Sequence, residues 1–102
     1  MKLFIDTSSS EKIIVGLNEK KFETEAKKGA SQRLLPFIVE LLEKEGKRFG
    51  DIKEIEVATG PGSFTGLRVG VSVANALGWA LAIKVNGKNF RKGESVEINY
   101  ES

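Results

Sequence analysis

The stretch from residue 58 to 82, ATGPGSFTGLRVGVSVANALGWALA, constrains the fold of this chain more than any other. It begins with a glycine-rich loop, Gly60–Gly66, in which the glycines allow close backbone approach and Pro61 stiffens the chain. No charged residue occurs from Val69 to Ile83. A bilayer-spanning helix needs about 18 or more apolar residues, so this shorter run predicts a helix that is buried on most of its circumference.

Small residues recur at every fourth position of this helix, at Gly66, Gly70, Ala74 and Gly78. Residues four apart lie on one face of a helix, so they form a flat stripe against which another backbone can pack closely. A glycine inside a helix costs about 1 kcal/mol relative to alanine, so Gly70 and Gly78 need a packing reason. The stripe predicts a helix that packs on its own sheet on one side and on a partner helix on the other.

Alternating and β-branched segments predict strands around the helices. The predicted strands cover residues 2–6, 13–17, 22–26, 52–57 and 82–85, and the predicted helices cover 31–45 and 65–81. Asn86-Gly87 is a strong turn signal. In the tail, Val96, Ile98 and Tyr100 alternate with polar residues, which predicts an edge strand or a clamp over the surface.

The order of these elements, β-β-β-α-β-α-β, is typical of a mixed sheet. Three antiparallel strands would lie on one side, and the later strands would run parallel to the first through right-handed helical crossovers. The predicted fold class is an α/β domain of the ribonuclease-H-like, actin-like (ASKHA) kind, with a five-stranded mixed sheet and helices packed on it. We expect one domain over residues 1–85, with residues 86–102 as a C-terminal extension that adds an edge strand or a loop.

Composition limits the chemistry of the chain. The formal net charge of +2 is too small to predict nucleic-acid binding by this chain alone. The chain has neither cysteine nor histidine, so disulfides, thiolate chemistry and the commonest general base and metal ligand are absent, and we predict no metal site. The lack of cysteine is compatible with a reducing cytoplasm, and the first residues do not resemble a signal peptide.

Two polar segments are candidate phosphate-binding elements. Asp6-Thr7-Ser8 follows the first strand, where the actin-like plan places its phosphate-binding turn, and the Gly60–Gly66 loop could present backbone amides to a phosphate. The candidate residues are Asp6, Thr7, Ser8, Gly60, Gly62, Ser63 and Thr65. The alternative is that Asp6 caps the following turn. The loop also lacks the Gly-Lys-Ser/Thr of a Walker A motif.

Nucleophilic catalysis would require an unusual base. Ser63 or Thr65 as nucleophile would depend on Lys84 or Glu56, because histidine is absent, so we expect no catalytic residue. Arg68 is the only charge near the start of the second helix. It binds either a phosphate or a partner carboxylate, or it is a solvated side chain.

The apolar residues of the first predicted helix cover a wide arc. At 3.6 residues per turn they span about 200°, with Phe37 and Leu41 toward one edge and Leu35 and Val39 toward the other. Two interpretations remain open: the helix is wedged between the sheet and a neighbouring helix of the same chain, or part of the arc is a partner surface.

Three segments carry a resemblance to a known family: LFIDTSSS at the start, SQRLLPFI in the first helix and GPGSFTGLRVG before the second. Over residues 1 to about 85 the chain resembles the TsaB (YeaZ, glycoprotease-like) family, and the GPGSFTGLR string is specific to it. Two departures are clear. Family members usually carry a second domain of comparable size, and they usually have a histidine where this chain has Ala30.

The resemblance implies a cytoplasmic, non-catalytic scaffold subunit of the machinery that makes N6-threonylcarbamoyladenosine in tRNA. It implies pairing with the paralogue TsaD, which holds the active site, and a further partner, the ATPase TsaE. ATP and a metal ion are then expected in those partners, with no cofactor bound by this chain alone, and tRNA is contacted only through the complex. The alternative function is a small nucleotide-binding or phosphotransfer enzyme of the actin-like fold.

In the family the two helices of this domain form the pairing surface, so we expect them to contact TsaD or, in a homodimer, a second copy. The expected interface residues are Leu34, Phe37, Ile38, Leu41, Arg68, Val69, Gly70, Val73, Ala74 and Leu77.

Overall fold

Two helices cover one face of a five-stranded sheet in the computed structural model of this chain, which describes residues 1–26, 29–89 and 96. The strands are β1 (Lys2–Asp6), β2 (Lys12–Leu17), β3 (Lys20–Glu25), β4 (Glu54–Val57) and β5 (Lys84–Val85). The helices are α1 (Ala30–Lys44) and α2 (Phe64–Leu81), and a short 3-10 helix spans Phe49–Asp51. α1 packs on β2, α2 packs on β1, β4 and β5, and the two helices contact each other.

The strand order is β3-β2-β1-β4-β5. β1 and β3 are each antiparallel to β2, whereas β4 is parallel to both β1 and β5. The first three strands follow one another through short turns, and each later strand is reached through a helix. The predicted mixed sheet and the predicted positions of the two helices are therefore confirmed.

Alternation along the strands places the core on one side of the sheet. Leu3 and Ile5 of β1 are fully buried and lie in register with Ile55 and Val57 of β4. The helices complete this core with α1 residues such as Leu34 and with buried residues of α2. The alternate residues of β1 and β4 point to the opposite, more solvated face of the sheet. On that face, Lys2 Nζ lies 2.6 Å from Glu56 Oε1. Lys21 Nζ lies 4.7 Å from the centre of the Phe4 ring.

The last strand is shorter than predicted. The sequence predicts a strand over 82–85, but Ala82 is the C-cap of α2, with φ of 57°, and its N–H bonds back to carbonyls of the last helical turn. Only Lys84–Val85 then pairs with β4. The predicted tail strand lies outside the described residues, except for Val96, which is buried in the core cluster.

None of the helices in the described ranges has the length and hydropathy that crossing a membrane would require.

Candidate functional site

The polar loop after β1 is tied directly to the glycine-rich loop before α2. The fully buried Thr7 donates its hydroxyl to the Gly66 carbonyl at 2.6 Å. Ser63 N–H donates to the Ser8 carbonyl at 2.8 Å, and Asp6 Oδ1 accepts from both the backbone N–H and the hydroxyl of Ser8, at 2.9 and 2.6 Å. The two loops that the sequence singles out are therefore fastened to each other within this chain.

Three glycines make this close approach possible. A Cβ atom at Gly62 would collide with Ser8, at Gly66 with the carbonyl oxygen of Thr7, and at Gly70 with the hydroxyl of Thr7. Gly62 also has φ of +151°, which L side chains rarely adopt. The start of the small-residue stripe therefore packs on its own β1 loop. The prediction that Gly70 approaches a partner helix is wrong, because that space is occupied by Thr7.

Four residues of the candidate phosphate site, Asp6, Thr7, Ser8 and Ser63, have hydrogen-bond partners within this chain. The structure brings Asp6, Thr7, Ser8, Gly62 and Ser63 together at the junction of the two loops. However, Asp6 caps the turn that follows it, which is the alternative that the sequence left open. Ser63 is the N-cap of α2, where its hydroxyl accepts from the N–H of the third helical residue at 3.3 Å. The site thus has the geometry of a structural junction.

The residues considered for nucleophilic catalysis are not brought together. Ser63 follows the end of β4, whereas Lys84 pairs in register with Glu54 at the beginning of that strand. Glu56 accepts from Lys2 Nζ at 2.6 Å, and this hydrogen bond raises the pKa of Lys2 above its ordinary value of 10.5. Within residues 1–26 and 29–89, no group of carboxylates, histidines or cysteines has an arrangement that could hold a metal ion.

A face formed by α1 and α2 exposes apolar side chains to solvent. Leu35 and Val39 of α1 are 44% and 36% exposed. On the other flank of α1, Arg33 donates to the hydroxyl of Thr24 in β3, and Lys44 lies over the phenylalanine ring of β3. Since Leu35 and Val39 lie on the opposite flank of the helix, they point away from β3. α1 packs on β2, and α2 packs on β1, which lies on the side of β2 away from β3. The flank of α1 that carries Leu35 and Val39 therefore faces α2.

The matching surface on α2 is half-buried. It consists of Val69, Val73 and Leu77, which recur every fourth residue and pack against the edge of the core. We call Leu35, Val39, Val69, Val73 and Leu77 the α1–α2 face. Its apolar side chains from two neighbouring helices form the kind of patch that marks a protein interface.

The predicted interface residues separate into two groups. Arg68 is exposed, and Val69, Val73 and Leu77 belong to the α1–α2 face. The others are buried in this chain's own core, so the prediction that they are accessible to a partner is wrong; they are Leu34, Phe37, Ile38, Leu41, Gly70 and Ala74. Leu35 and Val39 were missed as candidates, although the sequence places them at the edge of the apolar arc.

A family model described as TsaD: tRNA N6-adenosine threonylcarbamoyltransferase matches residues 23–89. The tRNA threonylcarbamoyladenosine biosynthesis protein TsaB of Bacillus subtilis (strain 168) is 39% identical over 88 residues, which cover 82% of this chain and 38% of that protein. The protein of the same description from Escherichia coli (strain K12) is 40% identical over 47 residues, which cover 46% of this chain and 20% of that protein.

Solved structures agree with these relatives. YeaZ from Pseudomonas aeruginosa superposes with a TM-score of 0.71 at 29% identity, covering 82% of this chain and 41% of that chain. A second structure from the same organism, described as similar to peptidase YeaZ, gives the same TM-score and identity and is covered to 40%. This chain therefore spans about two-fifths of these YeaZ structures and of the Bacillus protein.

These findings confirm the predicted ASKHA-type fold. Because the family model covers most of the chain, this chain belongs to the family that the model describes as TsaD: tRNA N6-adenosine threonylcarbamoyltransferase, and within it the chain is similar to TsaB and YeaZ.

Proposed function

We propose that this chain is a non-catalytic scaffold subunit that pairs with a TsaD-like paralogue in the complex that makes N6-threonylcarbamoyladenosine in tRNA. The relatives named TsaB support a role in this pathway. The observation that carries the pairing is the α1–α2 face, in which Leu35 and Val39 are exposed on the flank of α1 that faces α2, and the valines of α2 are half-buried. A partner that covers this face would remove apolar surface from water, at roughly 25 cal/mol for each Å².

The chemistry of the complex then belongs to the partners. A TsaE-like ATPase would join the pair, ATP and a metal ion would be bound by the partner subunits, and tRNA would be held only by the assembled complex in the cytoplasm. The arrangement of Asp6, Thr7, Ser8 and Ser63 supports this division, because Asp6 caps its own turn and the bonds of the other three residues join two loops of the chain. In the absence of the partner, the same face would pair two copies of this chain.

Pairing through the α1–α2 face is tested by substitutions at its exposed residues. Leu35→Glu and Val39→Glu each place a carboxylate in the proposed interface, and we expect each to weaken binding to the TsaD-like paralogue from the same organism at least tenfold. Trp79→Glu is the matched control. Trp79 is 64% exposed, but it lies on the flank of α2 near Asn75, away from the valines of the face.

Binding is measured by titration calorimetry, and circular dichroism checks that each variant is folded. Equal affinity of the parent, Leu35→Glu and Val39→Glu would contradict pairing through this face. The non-catalytic role is tested separately by assaying the purified chain for nucleotide binding, ATP hydrolysis and peptidase activity. A turnover that Asp6→Ala abolishes would favour the alternative, a small enzyme of the actin-like fold.

A further inference from the structure

The turn after β5 contains the only asparagine of this chain that is followed by glycine, Asn86-Gly87. Both residues have positive φ, of 49° and 77°, and two backbone hydrogen bonds between Val85 and Lys88 close the turn, at 3.0 and 2.8 Å. Two-residue turns of this kind favour Asn-Gly because both residue types tolerate positive φ. The pair is also chemically reactive, because glycine has no side chain to shield its backbone nitrogen from the asparagine amide.

Deamidation is the reaction that such a pair undergoes in water. The Gly87 nitrogen attacks Cγ of Asn86, the bond from Cγ to Nδ2 breaks, and Nδ2 leaves as ammonia with the proton that Gly87 gives up. Water then opens the resulting five-membered imide at one of its two carbonyl carbons, which gives aspartate or isoaspartate. One water is consumed, one ammonia is released, and no group is oxidised or reduced. Gly87 is exposed, and a Cβ atom there would meet nothing within 4 Å, so water reaches the turn.

The folded chain keeps the reactive amide of Asn86 turned toward β4. Its Nδ2 donates to the Val57 carbonyl at 2.9 Å, and its Oδ1 accepts from the Val57 N–H at 2.8 Å. The backbone N–H of Asn86 donates to the Ile55 carbonyl at 2.8 Å. Cγ can approach the Gly87 nitrogen only when the side chain leaves Val57, so both amide bonds must break first. Two hydrogen bonds of ordinary strength lower the population of such an open form about thirtyfold.

We propose that Asn86 is a deamidation site that the fold keeps closed, and that its conversion to aspartate or isoaspartate releases β5 from β4. β5 consists of Lys84 and Val85, so the three hydrogen bonds of Asn86 supply much of its attachment. An aspartate at this position cannot donate to the Val57 carbonyl, and it places a carboxylate oxygen against that carbonyl. Isoaspartate adds one carbon to the backbone of a two-residue turn and changes the register of the turn.

The protection of Asn86 depends on the pairing of β5. When the turn opens, the amide is exposed to attack, and the product no longer fits against β4, so reaction in the open form makes the opening permanent. Val85 is fully buried in the core and anchors the strand next to the turn. The site lies outside both the α1–α2 face and the junction of the two loops. The inference therefore goes beyond the proposed function and does not depend on it.

Deamidation rates of the folded and the unfolded chain test this protection. The purified chain is incubated at mildly alkaline pH in buffer and in urea, and peptide mass spectrometry measures the conversion of each asparagine. We expect Asn86 to react fastest in urea and about thirtyfold more slowly in the folded chain. A peptide of residues 82–88, followed in both solvents, corrects for the effect of urea on the reaction itself. Equal corrected rates in the folded and unfolded chains would overturn the proposal.

Two variants of β5 test whether its opening controls the rate. Val85→Ala removes two methyl groups from the core, which destabilises the paired strand more than the open one, so it should speed the conversion of the folded chain about tenfold. Lys84→Ala is the matched control, because it truncates the exposed neighbour, and it should leave the rate unchanged. Circular dichroism confirms that both variants are folded. If Val85→Ala reacts no faster than Lys84→Ala, opening of β5 does not control the reaction.

The release of β5 is tested on the product. The chain is aged in urea and refolded, and ion exchange separates the deamidated form by its added negative charge. We expect this form and Asn86→Asp to unfold at lower urea concentrations than the parent. Asn86→Gly aged in the same way controls for conversion at other positions and should keep its own midpoint. A midpoint equal to that of the parent, for either the deamidated chain or Asn86→Asp, would refute the release of β5.

Discussion

Gly66→Ala tests whether the junction of the two loops depends on contact between α2 and the backbone of β1. Alanine normally stabilises a helix relative to glycine by up to about 1 kcal/mol. Here the new methyl group would overlap the carbonyl oxygen of Thr7 and displace the hydroxyl bond from Thr7 to the Gly66 carbonyl, which is 2.6 Å long. Overpacking of this kind costs about 1–3 kcal/mol, and loss of the hydrogen bond adds about 1 kcal/mol.

The net expectation is a loss of about 2 kcal/mol in the free energy of unfolding, the reverse of what helix propensity predicts. For a domain of this size that corresponds to a fall of about 8–16 °C in Tm. Differential scanning calorimetry measures it, with Gly50→Ala as the matched control, because a Cβ atom at Gly50 meets no other atom within 4 Å. If the Tm of Gly66→Ala equals or exceeds that of the parent, the contact with Thr7 does not make alanine destabilising at this position.

A second variant separates the steric cost from the hydrogen bond. Thr7→Val keeps the branched shape of the buried side chain but removes its hydroxyl, so we expect it to cost about 1 kcal/mol. A double variant with Gly66→Ala should then cost less than the sum of the two single changes, because the hydrogen bond can be lost only once. Additive costs would refute the view that both substitutions act on the same contact.

Three further predictions follow from contacts elsewhere in the chain. Asn86→Gly keeps a residue that tolerates φ of +49° but loses the two amide bonds to Val57, and should lower the free energy of unfolding in urea by about 1–3 kcal/mol; no change in midpoint would contradict it. Ser63→Ala removes the N-cap of α2 and should cost about 1 kcal/mol, with Ser10→Ala as a neutral control. Lys20 donates a hydrogen bond to Glu45 that lowers the pKa of that carboxyl below 4.5. The contribution of this contact to the free energy of unfolding is therefore present above pH 4.5 and is lost as the pH falls through the lowered pKa of Glu45. Glu45→Gln should flatten the pH dependence of the free energy of unfolding over this range.

The locally encoded features of the fold could be predicted from sequence. Short apolar and β-branched runs identified β1 and β2, and alternation of apolar and polar residues identified β3, whose Phe22 and Thr24 are half-buried between exposed residues. The turn after β5 was recognisable because Asn86 and Gly87 both adopt positive φ, which these residue types tolerate best. The position of Ala82 was missed, since an alanine with φ of 57° gives no compositional signal and is held there by its bonds to the last turn of α2.

The candidate site was predicted only in part. The sequence singled out the loop after β1 and the glycine-rich loop as separate candidates, but it could neither place them in contact nor assign their hydrogen bonds. Whether Ser63 caps a helix or binds a ligand depends on where its neighbours lie in space. Gly70 was likewise expected to contact a partner helix. A stripe of small residues predicts close packing, but it does not indicate which surface packs against it.

The sequence by itself determined which residues are apolar, where the helices and strands lie and how the strands connect, because these follow from local periodicity and turn chemistry. Only the tertiary structure decided which part of each apolar arc is left in solvent. Leu34 and Leu35 are the same residue type at adjacent positions of one helix, yet the first is fully buried and the second is 44% exposed. A rotation of about 100° per residue places one against the sheet and the other on the α1–α2 face, and where that sheet lies is set by contacts distant in sequence.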